Sequence, residues 1–397
     1  MNEGLEQARQ HFLNGIQAFE AGRLPEARGH FEASLALAPG RASVLVNLGI
    51  TLFRLRQWQE ALPVLKQAAA ADPAQADAWA YLGLTQEALG LWQAAIDPLR
   101  RALELAPGQA GLWLALGRCQ LRAGSVDAAL QAFDRAVAAA PNLAEAWSAR
   151  GGLLRDLNRL DEAAQCFEKA LSLGADRDLT GYYLAAVRGG TGAPANPPRK
   201  YVETLFDEYA ADFQEHVVGQ LRYQAPERLL RPLIEAGRRY RSVLDLGCGS
   251  GLCGRLVRPI ADAIDGVDVS GAMLEQARRL GVYRELIHAD LLAFLAGTTR
   301  TADLVLAADV FIYVGELSRV FASVRRILEP SGCFAFTVEL SPDGEDVRLL
   351  PSLRYAHSET YVRRMAAAHG FEVRDTFKAA LRHDQSTPVQ GLYVFLE

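Results

Sequence analysis

The sequence predicts two folded domains, an all-α solenoid of repeated helix hairpins followed by an α/β domain with a doubly wound, mainly parallel sheet. Two observations carry this prediction. The first half of the chain repeats several residue types every 34 residues, which is typical of stacked helical units. From Val243 onward, short apolar segments rich in β-branched residues alternate with segments of helical periodicity, which is the pattern of a parallel sheet.

Length and charge narrow the class of protein. The chain has 397 residues, enough for two domains that each bury a core. Its net charge of −5 argues against a general nucleic-acid or membrane-surface binder. No apolar run reaches the roughly 18 residues of a membrane span, and the first residues lack a signal-peptide pattern. The five cysteines form no C-x-x-C pair. We therefore expect a cytoplasmic protein without a metal site.

The 34-residue step involves glycine, alanine, proline and tryptophan at once. The recurring glycines and alanines are Gly15, Gly49, Gly83, Gly117 and Gly151, and Ala27, Ala61, Ala95, Ala129 and Ala163. Small residues are needed where the two helices of a hairpin cross closely, and proline stops the second helix. The pattern predicts five helix hairpins over about residues 8–176.

This spacing resembles the tetratricopeptide repeat, which implies a curved solenoid. The segment 178–188 has one apolar face and is expected to cap the stack, which gives a repeat domain over 1–190. A linker containing glycine and proline follows at 191–198, and the second domain covers 199–397.

The concave face of such a solenoid is lined by the first helix of each hairpin. In the first two repeats apolar residues are expected on or near this face: Phe12, Ile16, Phe19, Val46, Ile50 and Phe53. These six residues, called the apolar patch below, are either covered by a protein partner, a second copy of the chain or the methyltransferase domain, or belong to the packing between hairpins.

Asp245 lies at the carboxyl end of a predicted buried strand, ahead of three glycines, Gly247, Gly249 and Gly251. Glycine is needed where the backbone turns sharply and a ligand approaches the main chain, and the helix after the loop offers free N–H groups. A nucleotide-cofactor loop and an ordinary glycine-rich turn both fit. Because the Asp245 carboxylate would repel a pyrophosphate, we favour a cofactor with cationic or hydroxyl groups over a dinucleotide.

The string V-L-D-L-G-x-G-x-G at 243–251 resembles the first motif of the class I S-adenosylmethionine (SAM)-dependent methyltransferases. Several further motifs extend the resemblance over most of 199–397. It implies a Rossmann-like, doubly wound sheet with an antiparallel last strand, and SAM as the cofactor bound at Asp245 and the three glycines.

The second and third motifs add further expected cofactor contacts. At the second motif the resemblance implies that Asp268 binds both ribose hydroxyls and that Met273 lies against the adenine. The spacing of Asp268 also suits NAD, and Met273 fits equally well as a core residue. At the third motif, Asp290 and Leu291 are expected at the adenine, although Asp290 also fits as a helix cap.

Two segments are expected near the methyl acceptor. Asp309 follows the fourth predicted strand and is expected at the cofactor, with Tyr313 on the substrate side. The segment at 206–216 resembles the lid helix of small-molecule methyltransferases, F-D-x-Y-A-x-x-F-x-x-H. This resemblance implies that Tyr209 and His216 face the cofactor or the acceptor. An amphipathic helix packed on the sheet is the alternative for the phenylalanines of this segment.

The last candidates lie late in the chain. Arg354 and His357 precede a predicted helix, and Arg382 lies between the last two predicted strands. We expect His216, Tyr313 and His357 to act as the catalytic base or to bind the acceptor. Arg354 and Arg382 are the candidates for binding a substrate carboxylate.

The sequence therefore predicts a SAM-dependent methyltransferase whose repeats bind a protein partner. Its acceptor is expected to be a small molecule, with a carboxylate as the candidate recognition group, or a carrier-bound substrate. One alternative is a protein or peptide methyltransferase whose repeat groove binds the substrate polypeptide. Another is a non-catalytic SAM-binding scaffold. No nucleic-acid or membrane partner is expected.

Overall fold

The computed structural model describes residues 2–209, 223–342, 344–384 and 387–397. The chain folds into two compact units, Met1–Ala175 and Asp176–Glu397. The composition of the chain predicts a domain boundary after residue 190, so the observed division falls earlier in the chain.

The first unit is built from helices joined in hairpins, as the 34-residue step predicts. Its helices are α1 (Asn2–Glu20), α2 (Leu24–Leu37), α3 (Ala42–Arg54), α4 (Trp58–Ala71), α5 (Ala76–Ala88), α6 (Trp92–Leu105), α7 (Ala110–Arg122), α8 (Val126–Ala139), α9 (Ala144–Asp156) and α10 (Leu160–Ser172). The predicted helical solenoid is confirmed.

The recurring small residues lie where the helices of a hairpin meet. A Cβ atom added at Gly83 would lie 2.6 Å from Cγ of Leu99 on the second helix of the same hairpin. The recurring alanines are fully buried. The recurring tryptophans close the junctions between hairpins, because the indole N–H of Trp113 donates to the carbonyl of Pro107 at 2.9 Å. The repeat pattern is therefore a pattern of side-chain packing.

The second unit contains a nine-stranded sheet with helices around it. Its helices are α11 (Arg177–Val187), α12 (Arg199–Tyr209), α13 (Ala225–Glu235), α14 (Leu252–Val257), α15 (Gly271–Arg279), α16 (Leu291–Gly297), α17 (Ser318–Ile327) and α18 (Glu359–Ala368). Its strands are β1 (Tyr240–Leu246), β2 (Ala261–Asp268), β3 (Glu285–His288), β4 (Ala302–Ala307), β5 (Leu328–Leu340), β6 (Val347–Leu349), β7 (Tyr355–His357), β8 (Val373–Asp384) and β9 (Thr387–Leu396).

The strand order is β3-β2-β1-β4-β5-β7-β6, and β9 joins β5 to β8. Strands β1 to β5 pair in parallel, and β9 is antiparallel to both β5 and β8. The chain reverses its direction across the sheet between β1 and β4, which is where ligands bind in such sheets. The expected parallel sheet and its antiparallel last strand are confirmed. The short strands β6 and β7 are additions that the sequence does not predict.

Two apolar clusters cover opposite faces of the sheet, because successive side chains of a strand point to opposite sides. On β4, Val305 and Ala307 belong to one cluster, whereas Leu304 and Leu306 belong to the other. The β4 strand is thus buried on both faces, and polar groups are confined to its ends.

The helix α11, which is expected from the sequence to cap the repeats, packs within the second unit. The hydroxyl group of Tyr182 donates to the carbonyl of Leu353 at 2.6 Å, and its ring lies 6.3 Å from that of Tyr355. The predicted linker is held to the same unit, since the carbonyl of Ala195 accepts from the N–H of Gly315 at 2.9 Å. These contacts explain why the division between the units falls before α11.

All five cysteines are buried and none is in a disulfide. Among the described residues, no helix is both long and apolar enough to span a membrane.

Candidate functional site

The loop between β1 and α14 has a backbone that requires glycine. Gly247, Gly249 and Gly251 have φ angles of 62°, 53° and 91°, in the left-handed region that side chains disfavour. A Cβ atom added at Gly247 would meet Val310 at 2.6 Å, whereas one added at Gly249 meets nothing within 4 Å. The loop is therefore packed beneath Gly247 and open at Gly249, as a cradle for a ligand would be.

Asp268 ends β2 and is joined to this loop. Its carboxylate accepts from the backbone N–H of Gly249 at 2.8 Å and from that of Ser270 at 2.9 Å, one bond at each oxygen. Each carboxylate oxygen has a second lone pair, so both can still accept from a pair of ligand hydroxyls. Burial raises the pKa of Asp268, and the two N–H donors act against that rise.

Asp245 is buried and hydrogen-bonded inside the protein. Its Oδ2 atom accepts from the hydroxyl of Tyr283 at 2.7 Å. Burial raises the pKa of Asp245 to about 7, and the Tyr283 hydrogen bond opposes the rise. The carboxylate therefore holds the base of the glycine loop, and its expected contact with the cofactor stays a prediction.

Three residues expected at the adenine each have a structural role within the protein itself: Met273, Asp290 and Leu291. Met273 is completely buried in α15, which agrees with the core alternative. Asp290 caps α16 and accepts from the N–H of Ala293 at 2.9 Å, which agrees with the cap alternative. Leu291 begins α16 and packs against the core. Their contacts with an adenine remain predictions.

The residues at and just past the ends of β1 and β2 nevertheless fit SAM. Asp268 offers two acceptor oxygens to a ribose, and Gly249 leaves its space open. In the same loop the Ser250 hydroxyl is buried, and its oxygen has no hydrogen-bond partner among the described residues. A buried polar atom without a partner costs free energy, so a bound ligand would satisfy it.

Asp309 and Arg382 form an ion pair past the end of β4. Asp309 has a φ angle of 58°, and its N–H donates to the hydroxyl of Thr337 at 2.8 Å. Both its carboxylate oxygens accept from Nη1 of Arg382 at 2.8 Å, and Nη2 of Arg382 donates to Glu339 at 2.7 Å. Arg382 is only 4% exposed. Its carboxylate partners are thus the protein's own, which differs from the substrate contact expected for it and from the cofactor contact expected for Asp309.

Tyr313 and Arg354 lie next to this ion pair. Tyr313 ends a 3₁₀ turn, Phe311–Tyr313, and its ring meets that of Phe206 edge-on at 5.3 Å. Burial raises the pKa of Tyr313, while the nearby Arg354 guanidinium, a hydrogen-bond partner of the phenol, lowers it. Arg354 is partly exposed. The structure therefore brings Tyr313 and Arg354 together, a pairing that the sequence does not predict.

His357 is placed differently from its expected catalytic role. Its side chain is completely buried, its Nε2 atom lies 2.9 Å from the carbonyl of Gly315, and its ring stacks on Tyr361. Because a carbonyl only accepts, Nε2 carries the proton. Burial lowers the pKa of His357 to about 4. The ring is a neutral core residue and has no open path to an acceptor.

The two lid candidates fall at the limit of the described residues. Tyr209 is the last residue of α12, and its side chain lies outside what the structure describes, as does all of His216. Asp207, two residues before Tyr209, accepts from the hydroxyl of Ser270 at 2.6 Å. The start of the predicted lid thus contacts the loop that follows Asp268.

Sequence reasoning missed three residues at the site. Glu339 is an acid directly after the mainly apolar segment 333–338 of β5, which is a signal that could have found it. Asp207 belongs to the lid motif at 206–216, but the motif is interpreted only through Tyr209 and His216; Tyr283 carries no such signal, because a tyrosine in a connection is common.

Comparisons with known proteins identify a methyltransferase domain and tetratricopeptide repeats in this chain. A family model described as "Methyltransferase domain" matches residues 243–332, and tetratricopeptide-repeat models match residues 46–110, 87–153 and 144–176. The repeat helices are similar to the crystal structure of MamA, with 27% identity over 40% of this chain and 93% of that chain and a TM-score of 0.39.

Three curated relatives are methyltransferases. A malonyl-[acyl-carrier protein] O-methyltransferase of Geobacter sulfurreducens is 35% identical over 46% of this chain and 68% of its own length. One of Legionella pneumophila is 33% identical over 36% of this chain and 50% of its own length. A dimethylglycine N-methyltransferase of Parasynechococcus marenigrum is 32% identical over 31% of this chain and 44% of its own length. The chain thus spans between 44% and 68% of the length of these relatives. By these matches the chain belongs to the S-adenosylmethionine-dependent methyltransferases, as a member with tetratricopeptide repeats ahead of its methyltransferase domain.

Proposed function

We propose that the protein transfers a methyl group from SAM to a carboxylate on a carrier-bound acyl group. The observation that carries the proposal is the pairing of Tyr313 with Arg354 beside the Asp309–Arg382 ion pair. SAM, when bound, supplies a methyl group on a sulfonium. The protein's part is then to position a nucleophile and, where the nucleophile needs it, to remove a proton.

A carboxylate acceptor fits the candidate bases that the structure describes. A carboxylic acid is already ionised at neutral pH, so no base has to remove a proton from it. His357 is neutral and enclosed, and the pKa of Tyr313 is raised by burial. An acceptor that must lose a proton would require a base that is both accessible and unprotonated, and these two residues do not supply one.

Arg354 is the residue assigned to the acceptor carboxylate. Arg382 is buried, whereas Arg354 is partly exposed, lies beside the Tyr313 phenol and is close enough to Glu339 to lower the pKa of that carboxyl. Guanidinium groups bind carboxylates in a fixed geometry. The malonyl relatives are O-methyltransferases and support a carboxylate as the methylated group, whereas the dimethylglycine relative is an N-methyltransferase and supports only an acceptor that carries a carboxylate. The carrier-bound form rests on the malonyl relatives alone.

The test uses a malonyl group and an acetyl group on the same acyl carrier protein. S-adenosylhomocysteine release by the full chain should occur with the malonyl carrier and not with the acetyl carrier, which lacks the carboxylate. Arg354→Gln should cost about 2–3 kcal/mol of transition-state stabilisation, which lowers kcat/KM for the malonyl carrier by roughly 30- to 150-fold, without changing SAM affinity. The matched control is Arg374→Gln, because Arg374 pairs with Glu397 on the surface. Equal loss in both variants, or turnover of the acetyl carrier, would refute the proposal.

The repeats are assigned to a protein partner. Of the apolar patch, Val46 is buried, and the other five side chains are partly exposed. Phe53 contacts Tyr81 edge-on at 5.4 Å, and the Arg54 guanidinium lies 4.8 Å from the centre of the Phe19 ring. Five half-exposed apolar side chains on one helical array support a binding surface, although their inner atoms also pack on the core.

The alternatives have separate outcomes. If the repeats bind a substrate polypeptide, removal of 1–175 abolishes methylation; if they bind another partner, turnover of a carrier-bound acceptor survives the deletion. A non-catalytic scaffold would bind SAM and release no S-adenosylhomocysteine with any acceptor. Phe53→Arg should leave SAM binding unchanged and should abolish partner binding.

A further inference from the structure

The ring of Tyr283 fills the space behind the glycine loop. A Cβ atom added at Gly251 would lie 3.1 Å from the ring, one added at Gly266 would lie 3.0 Å from it, and one added at Gly254 would overlap it. Gly251 ends the loop, Gly254 lies in α14, and Gly266 lies in β2. Three glycines from three elements therefore surround one aromatic ring, which is partly exposed.

The Tyr283 hydroxyl is a side-chain hydrogen-bond donor to Asp245. It donates to Oδ2 at 2.7 Å, and both this bond and the nearby Gly254 backbone lower the pKa of the carboxyl against the effect of burial. Asp245 is 1% exposed, so water cannot replace a lost donor. A buried carboxylate that loses a donor loses a large share of its stabilisation.

We propose that Tyr283 is a positioning residue for SAM: its hydroxyl orients the Asp245 carboxylate and its ring fixes the glycine loop in the conformation that binds the cofactor. Because Asp245 lies two residues before Gly247, we expect a change in its hydrogen bonds to alter the conformation of the glycine loop. This inference rests on the cofactor and is independent of the acceptor.

The experiment is a calorimetric titration of the full chain with SAM, without any acceptor. Tyr283→Phe keeps the ring and removes the hydroxyl, and it should weaken SAM binding about tenfold or more. The matched control is Tyr393→Phe, which also removes a hydroxyl with a hydrogen bond, here to the carbonyl of Ala380 at 3.2 Å. The control should bind SAM within twofold of the wild type. Failure of the carboxylate-acceptor proposal would leave this result unchanged.

A double-mutant cycle separates orientation of Asp245 from simple packing. In an Asp245→Asn background, Tyr283→Phe should have less than a third of its effect in the wild type, because the charge-assisted bond is already lost. If Tyr283→Phe does not fold, Asp245→Asn with the ring intact should by itself show the loss of SAM affinity. Equal effects of Tyr283→Phe in both backgrounds, or wild-type affinity in Asp245→Asn, would overturn the proposal.

The pH dependence of SAM affinity distinguishes the role of the hydroxyl from that of ring packing, because packing alone would not change it. The titratable groups that face Asp245 are Tyr283, the Asp268 carboxylate and the thiols of Cys248 and Cys253. Burial raises the pKa of each thiol well above the usual value for cysteine, so both thiols stay neutral. Removing the hydroxyl raises the pKa of Asp245, and the loss of SAM affinity on acidification should begin at a higher pH in Tyr283→Phe. Identical profiles for the two proteins would overturn the role of the hydroxyl.

Discussion

Nη1 of Arg382 donates to both carboxylate oxygens of Asp309 at 2.8 Å, although the sequence predicts that both residues contact bound ligands. Arg382 also donates to Glu339, so one buried guanidinium joins the ends of β4, β5 and β8. Replacing it leaves two carboxylates in a site that excludes water.

Arg382→Met should therefore destabilise the second unit by about 3–5 kcal/mol, the usual cost of leaving a buried charge without its partner. Urea unfolding monitored by circular dichroism measures this cost. Arg374→Met, which removes one side of a surface pair, should unfold like the wild type. Wild-type stability of Arg382→Met would contradict the structural role assigned to Arg382.

The buried His357 predicts a pH-dependent stability. Its pKa is about 4 in the folded protein against an ordinary value of about 6.5. Between these pH values the imidazole of His357 is protonated in the unfolded chain and neutral in the folded chain. The contribution of His357 to the free energy of unfolding therefore falls as the pH falls through this range, and it is constant at higher pH. The full difference is about 3 kcal/mol at pH below 4.

His357→Gln keeps a donor for the Gly315 carbonyl and cannot take up that proton. The difference in unfolding free energy between this variant and the wild type should change with pH between about 4 and 6.5. A constant difference across that range would show that His357 titrates normally and is accessible.

The repeat unit offers a matched pair of glycines. Gly83→Ala brings a methyl group to within 2.6 Å of Leu99 and should cost about 1–3 kcal/mol by overpacking. Gly152 lies inside α9 with nothing within 4 Å of an added Cβ, so Gly152→Ala should stabilise by roughly 0.5–1 kcal/mol. Thermal unfolding of the two variants tests whether their changes in unfolding free energy have opposite signs. Changes of the same sign would mean that the 34-residue pattern is not one of packing.

The position of α11 predicts where the second unit can be cut. A fragment over 176–397 keeps the Tyr182–Leu353 hydrogen bond and the segment bound to Gly315 and Tyr355, whereas one over 199–397 loses both. We expect the longer fragment to fold cooperatively and to melt at the higher temperature. Scanning calorimetry measures the melting temperature of each fragment. Equal melting temperatures would show that 176–198 does not stabilise the second unit, and would favour the boundary after residue 190.

Much of this fold follows from periodic signals in the sequence. The 34-residue step predicts the hairpins because packing repeats with the same period, and the apolar strands before Asp245, Asp268, Asp290 and Asp309 predict the parallel sheet. Each of these four acids stands at or just past the carboxyl end of its strand, and because the four strands are parallel, the acids lie along one edge of the sheet.

The partners of these acids could not be predicted, because they come from distant parts of the chain. Tyr283 reaches Asp245 across 38 positions and Arg382 reaches Asp309 across 73. His357 looks like a catalytic base in the sequence, and only its complete burial shows otherwise. Strands β6 and β7 are three residues long, too short for an alternation signal.

The central claim is that the Gly249–Asp268 corner binds SAM, and one calorimetric measurement tests it most directly. The full chain, wild type and Asp268→Ala, is titrated with SAM and then with NAD. We predict binding of SAM and not NAD by the wild type, and SAM binding weaker by roughly 2–3 kcal/mol in Asp268→Ala, because two charge-assisted hydrogen bonds are lost. Tight binding of NAD without SAM, or SAM binding that is unchanged in Asp268→Ala, would contradict the account.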